Sequence, residues 1–186
     1  MTMAGTSNAS RNRLIGLVIA AAIFAIDQWV KWLVAGPLGL VREGDHLDLL
    51  EFFDFTRTHN FGVSLGMFTA TSLEMRWGLV AITSLIALVV LVWMFRERRF
   101  LDILPLGLVL GGALGNIRDR STFGYVLDYA DFHIGAWRPF LIFNIADAAI
   151  TVGVVIILVR ALFLREKPPE TAETAAETAA PDTAEI

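Results

Sequence analysis

Asp27 and Lys31 stand four residues apart in the first apolar stretch of this chain, in the run DQWVK. Asp119 and Arg120 close a glycine-rich apolar run, and Asp128 follows in GYVLDY. Asp147 opens the last apolar stretch, in FNIADAAI, and Asn60 stands in HNFG. An ionisable residue inside a membrane span is costly and marks a functional site by default. Two carboxylates in a poorly hydrated site cannot both ionise cheaply, so one keeps its proton while the other is charged. That pair suits hydrolysis: the ionised acid takes a proton from water, and the protonated acid donates to a carbonyl oxygen. It needs no metal, thiol or serine. The chain has no cysteine, which excludes disulfides, thiolate chemistry and cysteine metal sites. His46, His59 and His133 show no close metal-ligand spacing, so neither a metal nor another cofactor is expected.

All of these residues but Asp128 also have a purely structural reading. Asp27 and Lys31, at i and i+4, could neutralise each other on one helix face. Asp119 and Arg120 could form an interfacial ion pair. Asp147 could cap a helix, where a carboxylate meets the positive end of the dipole. Asn60 could be a turn residue.

The elements that must position these groups are membrane spans. Of 186 residues, 55% are hydrophobic and only 18% charged, with a mean hydropathy of +0.61; a soluble domain would carry more surface charge. Net charge is −4, but Glu170, Glu173, Glu177, Asp182 and Glu185 fall in a tail without a base. The remaining body is nearly neutral, so no nucleic-acid partner is expected. A hydrocarbon core of ~30 Å needs ~20 apolar residues as helix. Four spans are expected, at about 14–34, 77–95, 100–116 and 140–164. The first is longer than a secretory signal core and reads as a retained helix. Arg11 and Arg13, then Arg96, Arg98 and Arg99, then Arg160, Arg165 and Lys167 flank the spans on one common side. The positive-inside rule makes that side cytoplasmic.

The expected organisation is thus a cytoplasmic N-terminus over 1–13, a four-span membrane domain over 14–166 and a disordered acidic tail over 167–186. Segments 35–76 and 117–139 face outward. The period-two character of HLDLLEFFDFTRTHNFG predicts short strands, and so a small extracytoplasmic β-rich platform on a four-transmembrane-helix bundle. Gly107, Gly111 and Gly115, with Gly112 beside them, form a tandem GxxxG for close helix packing. At ~1.5 Å per residue, Asp27 lies ~20 Å from Leu14, Asp119 ~28 Å from Phe100 and Asp147 ~26 Å from Leu164. Three spans therefore bring acids to a similar outer depth, and the loop carrying Asp128 could fold back to meet them.

These motifs resemble those of the lipoprotein signal peptidases, the type II signal peptidases of bacteria. DQWVK is similar to the family's DQxxK, and NFGVSLG to its NxGxxF-type box. GGALGNIRDRSTFGYVLDY looks like GGAxGNxxDRxxxGxVxDF, and FNIADAAI matches FNxADxxI. The resemblance covers about residues 14–164. It implies an inner-membrane endopeptidase that cuts diacylglyceryl-modified prolipoproteins on the amino side of the lipid-bearing cysteine. Prolipoproteins and membrane lipids would be its partners, and it would act as a monomer. It implies that Asp128 and Asp147 are catalytic. Asp27, Lys31, Asn60, Gly62, Asn116, Asp119, Arg120 and Asn144 would line or brace the site, with Asn116 and Asn144 as hydrogen-bond partners and Arg120 paired to Asp119. Val63, Ser64 and Leu65 depart from the family's small residues and Phe, which bears on pocket shape.

Three other readings use the same residues. A proton- or ion-coupled transporter also needs buried acids, but four spans without an inverted repeat fit it poorly. A Ser–Lys hydrolase would pair Lys31 with Ser64, yet Lys31 is better explained as the partner of Asp27. A membrane scaffold would leave the paired acids unexplained.

Overall fold

A computed structural model describes residues 3–62 and 73–163. The Val63–Ser64–Leu65 departure, Arg165, Lys167 and the acidic tail lie outside the described residues. Among the described residues four helices are long and apolar enough to cross a membrane: α1 (Met3–Ala35, with its candidate span from Asn8), α2 (Leu73–Arg96), α3 (Phe100–Phe123) and α4 (Ile145–Phe163). Several boundaries differ from expectation: helix α1 begins at Met3 rather than at 14, and α2 at Leu73 rather than at 77. Helix α3 runs on past residue 116 to Phe123, where Gly124 takes a left-handed φ of 90° and its N–H closes on the Arg120 carbonyl. Helix α4 begins at Ile145 rather than at 140. The apolar residues before it are extended, because Phe143 exchanges backbone hydrogen bonds with Ala130.

Helix α3 is the centre of the bundle. Its apolar window is 56% buried, against 17–22% in the other three helices. Glycine makes this possible. A Cβ on Gly107 would lie 2.7 Å from the Gly16 carbonyl oxygen, and one on Gly111 would lie 2.5 Å from that of Ala20. Helix α1 therefore packs backbone to backbone on this face. Gly112 serves α4 in the same way, facing the Ala146 carbonyl. On a third face, Leu106 and Leu110 join Ala87, Val90 and Met94 of α2 in a buried cluster.

The basic flanks do gather at one end. Asn12 Nδ2 donates to the Arg98 carbonyl, Arg13 Nε donates to that of Glu97, and Arg160 pairs with Asp102 at 2.7 Å. At the opposite end sits a three-stranded antiparallel sheet in the order β1 (His46–Leu50), β2 (Phe53–Asn60), β3 (Val126–Phe132). The short strands expected from segment 35–76 are present, as β1 and β2. The third, from segment 117–139, was expected only as a loop. It pairs Thr58 with Asp128 and Asn60 with Val126. Val34, Leu40, Tyr129 and Ala130 form its buried core, with Phe53, Phe55 and Phe143 packed against them. The sheet is thereby seated on the end of α1 and the entry to α4.

Candidate active site

The site is built where α1, α3, α4 and β3 meet. Close packing on the glycine face puts Asp27 against Gly115. Asp27 Oδ1 accepts the Ala146 N–H at 3.0 Å, so a carboxylate on α1 satisfies one of the free amides that open α4. Lys31 Nζ lies 2.8 Å from both Asp27 Oδ2 and Asp119 Oδ2. All three side chains are buried. A buried charge is tolerated only when paired and hydrogen-bonded; one lysine here serves two acids. Gln28 completes the knot. Its Nε2 donates to Asp27 and Asp119 at 3.1 Å each, and its Oε1 accepts from Arg118.

The i,i+4 pairing of Asp27 with Lys31 is therefore real, while the expected Asp119–Arg120 pair is not formed. Asp119 instead takes Lys31 and, at 3.7 Å, Arg118. Adjacent residues on a helix point about 100° apart, so Arg120 turns from Asp119 and donates through Nη2 to the Gly62 carbonyl at 2.7 Å. Its Nε is buried without a hydrogen-bond partner among the described residues.

Three asparagines join this knot to Asp128 and Asp147, and each has a fixed amide orientation. Asn144 precedes α4 and caps it: its Oδ1 accepts the Asp147 N–H at 2.8 Å. The cap is thus Asn144, not Asp147 as one reading of the sequence had it. Because a backbone N–H occupies its oxygen, Asn144 presents Nδ2 to Asp128 Oδ1, at 2.6 Å. Asn60 repeats the device. Its Oδ1 accepts the Gly62 N–H at 3.0 Å in a local turn, and its Nδ2 donates to Asp128 Oδ2 at 3.0 Å. Both the turn reading and the site reading of Asn60 therefore hold. Asn116 turns its Oδ1 towards Lys31, at 3.5 Å, and donates through Nδ2 to Asp147 Oδ1 at 2.8 Å.

Asp128 reaches the site because Gly124 reverses the chain at the end of α3. Strand β3 then runs back beside the α4 cap. Asp128 is 2% exposed, whereas Asp147, in the first turn of α4, is only partly buried. Burial pushes the Asp128 carboxyl up to about 7, and the neighbouring Asp147 charge adds to this. The Asn60 and Asn144 donors and the Lys31 charge oppose it. Around neutral pH such a pair can hold one proton between two carboxyls, as general acid and general base require.

All ten residues picked from the sequence thus belong to one connected cluster. Sequence reasoning missed Gln28, although it lies inside DQWVK. It also missed Arg76, which donates to the Arg120 and Ser121 carbonyls at the end of α3 (2.7 and 2.6 Å). An isolated arginine at a span boundary carries no signal of that task. No group of three or more potential metal ligands occurs among the described residues.

Comparison with known proteins bears on the family and the fold. A family model described as signal peptidase (SPase) II matches residues 19–163. The lipoprotein signal peptidase of Sphingopyxis alaskensis is 51% identical over 152 residues, covering 82% of this chain and 87% of that protein. That of Rhizorhabdus wittichii is 50% identical over 157 residues, covering 84% and 91%. A solved bacterial membrane enzyme, determined by the in meso method at 2.3 Å, superposes with a TM-score of 0.71 at 27% identity. It covers 86% of this chain and 94% of that one.

Proposed function

This chain belongs to the signal peptidase II family, and we propose that it is an aspartic endopeptidase that removes the signal peptide from diacylglyceryl-modified prolipoproteins. The chain is a multi-pass membrane protein. We place it in the bacterial inner membrane, with the basic end cytoplasmic by the positive-inside rule. The sheet end is then outward and the acids sit at the outer leaflet. The observation that carries this reading is the asparagine frame. Asn144 caps Asp147 through its oxygen and holds Asp128 through its nitrogen, so one side chain sets the two carboxyls relative to each other.

In this mechanism the pair shares one proton, and Asp128, the more deeply buried acid, carries it. A water lies between the two acids. Asp147 takes a proton from this water as its oxygen attacks the scissile carbonyl carbon, while Asp128 donates to the carbonyl oxygen. As the tetrahedral species collapses, the C–N bond breaks. The proton on Asp147 passes to the leaving nitrogen, and Asp128 recovers its own. Arg120, held against the Gly62 carbonyl, orients the peptide beside the acids. The substrate's signal helix and acyl chains stay in the membrane, which explains why the site lies at a bundle end ringed by apolar surface. The charged groups gather there rather than along a path through the bundle, which argues against a transporter.

Cleavage of a lipidated and an unlipidated prolipoprotein by the purified protein tests this reading. The lipidated form should be cut next to its modified cysteine and the unlipidated form spared. Cleavage of neither would return weight to the transporter.

A further inference from the structure

Asn60, which holds Asp128, sits between two residues that rest on one ring. Successive side chains of a strand point to opposite faces, so His59 turns away from the face on which Asn60 reaches Asp128. The His59 ring stacks on Tyr125, with centroids 3.9 Å apart, and Phe61 tilts against the same ring at 5.6 Å. Tyr125 follows the Gly124 turn and precedes Val126, which pairs with Asn60. This one ring therefore ties the end of β2 to the start of β3, beside the residues that carry Asn60 and Asp128.

The stack is itself pinned. Arg57, two residues back on β2, donates through Nη1 to the Leu40 carbonyl at 2.7 Å, through Nη2 to the Tyr125 hydroxyl at 3.2 Å and through Nε to His59 Nε2 at 3.1 Å. The last bond fixes the state of the imidazole. Its Nε2 accepts, so the proton of the neutral ring is on Nδ1, which faces the Glu43 carboxylate at 3.6 Å. Among the described residues, the ionisable groups around the ring are thus Arg57 from β2, Glu43 from the loop before β1 and Tyr125 from the turn into β3. A second proton would go to Nε2 and point at the Arg57 N–H, donor against donor and charge against charge. One of the two side chains must then leave. Either the stack on Tyr125 opens, or the Arg57 guanidinium, only 9% exposed, loses an acceptor. Glu43 favours the charged ring, but its side chain is 59% exposed, so the attraction is weak. Burial and the Arg57 charge hold the imidazolium below the ordinary histidine value. The brace is therefore intact at neutral pH and opens in acid.

We propose that His59 is a positioning residue for the hydrolysis: in its neutral form it locks β2 to the turn entering β3 and keeps Asn60 on Asp128, and a proton on Nε2 releases that hold. The proposal rests on the endopeptidase reading above. Asn60 has no slack with which to compensate. Its Oδ1 is committed to the Gly62 N–H, so its Nδ2 meets Asp128 only while the strand keeps its place. A histidine that only stabilised the sheet would give cleavage no pH limb of its own.

The test is a kcat–pH profile of the full-length protein on a lipidated prolipoprotein, with thermal unfolding of each variant alongside. His59→Gln keeps an acceptor for Arg57 and cannot gain a charge. It should cleave within about threefold of the parent at neutral pH, and its acid limb should lie at lower pH, leaving only protonation of the general base. Glu43→Gln removes the one group that favours the charged ring, so its limb should also move to lower pH. His59→Phe keeps a ring on Tyr125 but strands Arg57 Nε. It should slow cleavage roughly tenfold, the low end for one donor to a charged group. In an Asn60→Ala background, where no donor is left to position, the same change should cost far less. Nitrogen NMR of the imidazole reads the tautomer without any cleavage: Nδ1 should be protonated and Nε2 bare. An acid limb that stays put in His59→Gln, equal slowing by His59→Phe with and without Asn60, or a protonated Nε2 at neutral pH would each overturn the proposal while cleavage by the parent upheld the peptidase. No cleavage by the parent would remove the premise and the proposal together.

Discussion

Asn144 does two jobs with two atoms, and substitution can separate them. Its Oδ1 caps α4 through the Asp147 N–H, and its Nδ2 donates to Asp128 at 2.6 Å. Serine caps a helix about as well as asparagine, but its shorter side chain cannot also reach Asp128. Asn144→Ser therefore keeps the cap and loses the donor; Asn144→Ala loses both. A hydrogen bond to a charged group contributes about 1.5–3 kcal/mol. If it acts mainly in the transition state, either substitution should slow cleavage by roughly 10- to 150-fold, at about 1.4 kcal/mol per tenfold. The two variants should differ in stability by the cap alone, about 1 kcal/mol. Cleavage of a lipidated prolipoprotein in detergent reads the first quantity, and thermal unfolding reads the second. An Asn144→Ser variant within threefold of the parent rate would refute the idea that this donor sets Asp128. Equal stability of the serine and alanine variants would refute the cap.

Other sites give sharper or simpler outcomes. Lys31→Met leaves Asp27 and Asp119 buried without their shared cation; breaking a buried pair costs about 3–5 kcal/mol, so thermal unfolding should shift far down. Gly111→Ala drives a Cβ to 2.5 Å from the Ala20 carbonyl and should destabilise by about 1–3 kcal/mol. By contrast, Gly78→Ala meets nothing within 4 Å and should leave the melting temperature unchanged or raise it. Activity should fall as pH rises through about 7, where Asp128 loses its proton. Asn60→Ala removes a donor that favours the ionised form, so that limb should move to higher pH in a kcat–pH profile. The same group makes folding weaken as pH rises from about 4 to about 7, since folded Asp128 holds its proton more tightly than the unfolded chain does.

Much of this architecture is legible in the sequence because membrane physics leaves few options. A run such as Trp77–Phe95 has no charge, so its helix needs no tertiary information. The GxxxG spacing likewise announces the face on which α1 settles. Asp27, Asp119 and Asp147 could be brought to one depth by counting helical rise. Strand β3 was harder to read. Its residues are almost all buried, and it is a strand because β2 and Phe143 lie on either side of it, which is tertiary context. The partner of Asp119 was misread for a related reason. Sequence adjacency pointed to Arg120, while the nearest cation came from Lys31 on another helix. The orientation of the asparagine amides was invisible as well, because it depends on which backbone N–H group each oxygen meets.

The central claim is that Asp128 and Asp147 together perform the hydrolysis. Its most direct test measures cleavage of a lipidated prolipoprotein by Asp128→Asn and Asp147→Asn, each checked for folding and membrane insertion. Both should be folded, inserted and without detectable cleavage. A folded variant of either kind that cuts at the parent rate would contradict the account.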